Sequence, residues 1–134
     1  MTPAAAALVA RAKHDGVSRV SFAAVDWNGR LRATQMPVDV LASALADGLA
    51  VTTAIFAPDS AERPITTGWF HDPANGYRDA WLQPDAEAAR SDPWAEGASA
   101  LLVPGVLVGE FAACCPRAML TREVAALARL GLRC

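Results

Sequence analysis

The side chains able to do chemistry in this sequence are few and dispersed. Histidine occurs twice, at His14 and His71, and neither lies at ligand spacing from a cysteine or a second histidine. The cysteines Cys114, Cys115 and Cys134 make neither a zinc pattern nor a disulfide framework. Cys114-Cys115 precedes Pro116 at an expected helix start, where a thiol pKa can fall. With no histidine beside it in sequence, the pair reads as small and apolar. Lys13 is the only lysine, so any lysine-dependent step would rest on it. The carboxylates Asp26, Asp47, Asp59, Asp72, Asp79, Asp85 and Asp92 are scattered, several where a turn needs an aspartate to bond its own backbone. Gly29, Gly48, Gly68 and Gly76 stand singly and match no phosphate-binding loop. Taken alone, these residues describe a domain without a self-contained catalytic constellation.

The elements that position them must fit within 134 residues, one domain by length and too few for a two-domain enzyme. Hydrophobic residues make up 53% and the net charge is −2, which excludes disorder. The pI of about 5.6 and the absence of a Lys/Arg cluster argue against a nucleic-acid binder. The most apolar stretch, 98–115, is broken by Pro104, Gly105, Gly109 and Glu110 well short of the roughly 20 residues a membrane span needs. The alanine-rich start has its basic residues, Arg11 and Lys13, after the apolar run, the wrong order for a signal peptide. A cytoplasmic protein is expected.

Pro3–Lys13 predicts a helix stopped at Asp15-Gly16. Val17–Asp26 predicts a strand covered on both faces. Asn28-Gly29 predicts a type I′ hairpin turn into a second strand, Arg30–Met36. Val38–Asp47 predicts a helix with Val38, Leu41, Ala42 and Leu45 on its buried face. The β-branched run Leu49–Phe56 predicts a strand, and Ala57–Arg78, broken by prolines and glycines, a long loop. Short strands follow near Asp79–Gln83 and Ser99–Leu107. Pro116–Leu130 predicts a helix with Leu120, Val124, Leu127 and Leu130 along one face. An early hairpin, a crossing helix and later strands give an α+β fold: a β-grasp-like mixed sheet with one helix-covered face, plus a C-terminal helix.

Four segments carry a resemblance. Asp79-Ala80-Trp81-Leu82-Gln83-Pro84-Asp85, then Asp92-Pro93-Trp94, resembles the D-x-x-L-x-P-D motif and following Pro-Trp or Pro-Phe pair of the glutamine synthetase family. Val25-Asp26-Trp27-Asn28-Gly29-Arg30 resembles that family's first hairpin, F-x-D-x-x-G-x-x-R. Met36-Pro37 with the helix to Asp47 and Gly48 resembles the next unit, and Pro116-Arg117 the D-P-R junction, with Cys115 in place of the aspartate. The four occur in the family's order, across about Val17–Gly131.

The resemblance implies a division into an N-terminal helix (1–15), a β-grasp domain (16–113), and a linker with the first helix of a catalytic domain (114–134). It implies an ATP-dependent ligase that joins ammonia or another amine to the γ-carboxylate of glutamate. ATP and Mg or Mn would be bound by a C-terminal catalytic domain that this chain lacks, in a homo-oligomer where the N-terminal domain completes a neighbour's active site. No catalytic or metal-binding residue is then expected within the chain itself. The family's ammonium-binding aspartate falls at Thr52, followed by Thr53. A neutral hydroxyl lacks the charge that holds ammonium, so a larger amine, as in γ-glutamylpolyamine synthetase-like branches, fits better. Trp69, in the long loop, would lie at a neighbour's amine entrance or else anchor the loop on its own domain. Two other readings stand beside this one: a β-grasp binding or interaction module without catalysis, and an unrelated α+β domain. If the last helix packs on an absent domain, its apolar stripe should be uncovered.

Overall fold

The computed structural model describes residues 1–63, 65, 72, 74, 76, 78–95 and 99–133. Helix α1 spans Pro3–His14; Thr2 caps it by accepting the Ala5 N–H, and Gly16 follows in the left-handed region at φ 64°. Strands β1 (Arg19–Val25) and β2 (Leu31–Pro37) form the first hairpin, antiparallel, with Ala23 opposite Ala33. Next come α2 (Leu41–Asp47), β3 (Leu49–Thr52), β4 (Asp79–Pro84), the two-residue β5 (Arg90–Ser91), β6 (Ala100–Val108) and α3 (Pro116–Arg129).

The main sheet runs β2-β1-β6-β4-β3, with β5 pairing on β6. β1 and β6 are parallel and the other pairs antiparallel. A parallel central pair flanked by antiparallel strands, with a crossing helix after the first hairpin, is the expected β-grasp-like layout. The first half of β6 pairs with β1 and its second half with β4, so one strand joins both sides of the fold.

One face of the sheet carries the core. Val20, Phe22, Leu101, Val103, Leu82 and Leu107 alternate inward and meet Ala5, Leu8 and Ala12 of α1 and Leu41, Ala44 and Leu45 of α2. Full burial of large side chains such as Phe22, Leu41 and Leu82 contributes about 1.5–3 kcal/mol each. β1 is buried on both faces, as expected: Ser21 and Ala23 point the other way, and the Ser21 hydroxyl donates to Asp92 at 2.7 Å. Cys115 is buried and Cys114 half-buried.

Three local expectations are corrected. The hairpin turn is not type I′, since Asn28 is not at positive φ; Gly29 alone is, at 78°. The Gly29 N–H donates to the Asp26 carbonyl and the Asp26 N–H to the Arg30 carbonyl, the pattern of a three-residue loop with a bulge at the glycine. Asp26 decides this, because its Oδ1 accepts the N–H groups of Asn28 and Arg30. The expected Val38–Asp47 helix opens as a 3-10 turn over Val38–Val40, and Ala44 rather than Ala42 is buried. The Leu49–Phe56 strand stops at Thr52. There the Thr52 hydroxyl accepts the Ala54 N–H and starts a 3-10 turn, Thr53–Phe56, a side-chain bond that outweighs β-propensity.

Among the described residues, no helix is long and apolar enough to cross a membrane.

Candidate functional site

Thr52 and Thr53 are neighbours in sequence and opposites in surroundings. Thr53 is fully buried, and its hydroxyl donates to the Arg78 carbonyl at 2.8 Å, which ties the turn after β3 to the residue entering β4. Thr52 is exposed. It lines a groove of about 280 Å³ between the edge strands β2 and β3, with Phe22, Leu31, Arg32, Ala33, Thr34, Val51 and Ile55. The curl of the sheet brings these two edges together at the mouth of the core. Trp69, the third expected site residue, lies outside the described residues.

The groove is apolar on its walls and carries two hydroxyls and one guanidinium. Among the described residues, no carboxylate lines it. Such a surface accepts and donates hydrogen bonds but supplies no negative charge to draw in an ammonium ion.

Arg32 is held rigidly at this rim. Its Nε donates to Asp26 Oδ2 at 2.8 Å, and its Nη2 donates to both carboxylate oxygens of Glu62 at 2.8 and 2.9 Å. Arg30 also pairs with Glu62. Asp26 is 1% exposed. Burial pushes its carboxyl up, but the Arg30 N–H, the Arg32 guanidinium and the Asn28 N–H outweigh burial and hold it below the ordinary 3.8. Arg32 was not singled out from sequence, although it lies three residues after Gly29, at the arginine of the D-x-x-G-x-x-R pattern. Glu62 had no sequence signal of its own.

The tip of the first hairpin meets two further elements. The Trp27 ring lies 6.2 Å from the Phe56 ring, at the end of the turn that Thr52 starts. The Trp27 indole N–H donates to the Cys114 carbonyl at 3.0 Å, just before α3. At the other end of the junction, Arg117 in the first turn of α3 donates to Asp85 at 2.8 Å.

Along α3 the expected stripe is open: Leu120 is 65% exposed, Val124 41% and Leu130 76%. Leu127 is half-buried. Among the described residues, no three His, Cys, Asp or Glu side chains converge to hold a metal ion.

No family model and no curated protein matches the sequence. Solved structures do match in fold. GmaS in complex with ADP superposes with a TM-score of 0.67 at 20% identity, over 90% of this chain and 25% of that one. GmaS without ligand gives a TM-score of 0.65 at 20% identity, over 90% and 26%. A novel glutamine synthase homolog gives 0.65 at 24% identity, over 84% and 27%. The chain spans about a quarter of the length of these structures. It has a fold found in glutamine synthetase-type proteins, and the four motif segments all lie within it.

Proposed function

We propose that this chain is the N-terminal domain of a glutamine synthetase-family ligase, one that joins an amine to the γ-carboxylate of glutamate at the expense of ATP. The observation that carries the reading is that the motif residues, separated in sequence, are paired in the fold. Asp26 pairs with Arg32 within the first hairpin, and Asp85 of the D-x-x-L-x-P-D segment pairs with Arg117 of the Pro-Arg junction. The shared fold with GmaS, a γ-glutamylmethylamide synthetase, supports the same reading.

In this reading ATP and the divalent metal belong to a catalytic domain outside this chain. The groove beside Thr52 is the part of this domain that faces the amine in a cytoplasmic homo-oligomer. Its apolar walls and neutral hydroxyl favour an amine bearing a carbon substituent over ammonium. The chain alone is inactive. Trp69 is placed at the same entrance, on the resemblance alone.

The test is ATP-dependent γ-glutamyl amide formation, measured with ammonia, methylamine and a polyamine. The purified 134-residue chain should give none. The same chain joined to the coding sequence downstream of Cys134 should give product, more with the alkyl amines than with ammonia. Ligation by the isolated chain would overturn the inactivity. A downstream frame without metal-ligating glutamates would favour a binding module instead.

A further inference from the structure

Two turns in this chain share one hydrogen-bond pattern and differ in the residue that takes the positive-φ position. In the first, Asp26-Trp27-Asn28-Gly29-Arg30, the Asp26 N–H donates to the Arg30 carbonyl and the Gly29 N–H to the Asp26 carbonyl, while Asp26 Oδ1 accepts from the Asn28 and Arg30 N–H groups. In the second, Asp59-Ser60-Ala61-Glu62-Arg63, the Asp59 N–H donates to the Arg63 carbonyl and the Glu62 N–H to the Asp59 carbonyl. Here Asp59 Oδ1 accepts from Ala61 and Arg63. The position that glycine fills at φ 78° in the first turn is filled by Glu62 at φ 62° in the second. Glu62 is the one non-glycine residue at positive φ among the described residues. That conformation is costly for a side chain with a Cβ and persists where the surroundings hold it.

What holds it is the first turn itself. The Glu62 carboxylate takes both Arg30 and Arg32, and the Asn28 side chain donates to the Pro58 carbonyl at 3.3 Å. Ala57 is buried and Pro58 and Asp59 are half-buried at the base of the segment, whereas Ser60, Ala61, Glu62 and Arg63 are all exposed. The outer part of the segment, Ser60–Arg63, therefore docks through the Glu62 ion pairs, between side chains that solvent and salt can reach.

We infer that Glu62 is a salt-sensitive latch, fastening the segment Ala57–Arg63 to the first hairpin and so keeping Arg32 Nη2 paired at the rim of the Thr52 groove. With the latch open, Arg32 keeps Asp26 as its anchor through Nε, and its Nη2 loses its carboxylate partner. The latch is independent of the proposed ligase function, since it concerns only how this segment is held.

Hydrogen exchange read by mass spectrometry over residues 57–63 of the whole chain tests it. In low salt E62Q should exchange ~3–5-fold faster than the wild type. Raising NaCl to about 1 M, where charges are screened beyond ~3 Å, should bring the wild type to the E62Q rate and leave E62Q unchanged. E62G relaxes the backbone while removing the carboxylate, so it separates shape from charge. The latch requires E62G to exchange as fast as E62Q. Wild-type protection in E62G or in E62Q, or a wild-type rate indifferent to salt, would overturn the inference.

Discussion

Arg117, in the first turn of α3, donates to the Asp85 carboxylate at 2.8 Å across 32 residues of chain. Asp85 is also the cap of the short 3-10 turn that follows β4, accepting the N–H groups of Glu87 and Ala88. One carboxylate thus shapes the exit of β4 and anchors the last helix. The two roles separate by mutation. D85N keeps an oxygen for the cap and weakens the pair, whereas R117Q removes the pair and leaves the cap. Both side chains are partly exposed, so R117Q should cost only about 0.5–1 kcal/mol. Its visible effect should be local: faster hydrogen exchange in α3 with the sheet unchanged.

Asp26 should make stability depend on acid. Its carboxyl is held below 3.8 in the folded state, so the unfolded chain binds the proton more tightly. The contribution is therefore complete above the unfolded value and lost as pH falls through the lower, folded one. D26N should cost about 2 kcal/mol at neutral pH, from the weakened bonds to Arg32 and the two N–H groups. The gap in melting temperature between wild type and D26N should close as pH is lowered from 6 towards 2.

The elements were legible where one local signal dominated. Pro3 and Gly16 bracket α1. Alternating apolar residues on both faces marked β1 as doubly covered. The errors came where a side chain bonded its own backbone. Asp26 turned an Asn-Gly sequence into a bulged loop, and Thr52 cut a β-branched strand short. Of the candidate site, Thr52 could be placed in order but not distinguished from Thr53, because burial depends on β4, some 25 residues away. Glu62 was invisible from sequence. Its role exists only because two turns distant in the chain meet in space.

Gly48 should tolerate no side chain. It sits at φ 76° and ψ −174°, and a Cβ there would lie 2.4 Å from Trp81 Nε1 and 2.9 Å from the Leu82 carbonyl oxygen. Trp81 is itself fixed, donating to the Asp47 carbonyl at 2.7 Å. G48A should cost about 2–4 kcal/mol by chemical denaturation. Adding W81A should recover only part of that, because the backbone oxygen of Leu82 remains.

The open stripe on α3 should drive self-association. Leu120, Val124 and Leu130 present apolar surface that no described residue covers. Sedimentation should show mass rising with concentration for the wild type. L120E/V124K should remain monomeric at an unchanged melting temperature, since neither side chain contributes to the core. A wild type that stays monomeric would count against an absent partner at this face.

Thr52 and Thr53 should separate stability from specificity. T53V leaves the Arg78 carbonyl without its donor inside the fold, at a cost of about 1–2 kcal/mol. T52V removes an exposed hydroxyl that caps a single N–H at 3.3 Å, and should change stability by no more than ~0.5 kcal/mol. The functional order is the reverse. On the proposed ligase reading, with the chain joined to a catalytic domain, T53V should leave the ratio of alkyl-amine to ammonia use unchanged. T52D places a carboxylate at the groove, where no described residue supplies one, and should shift that ratio towards ammonia. An unchanged ratio in T52D would remove this groove from the amine's path.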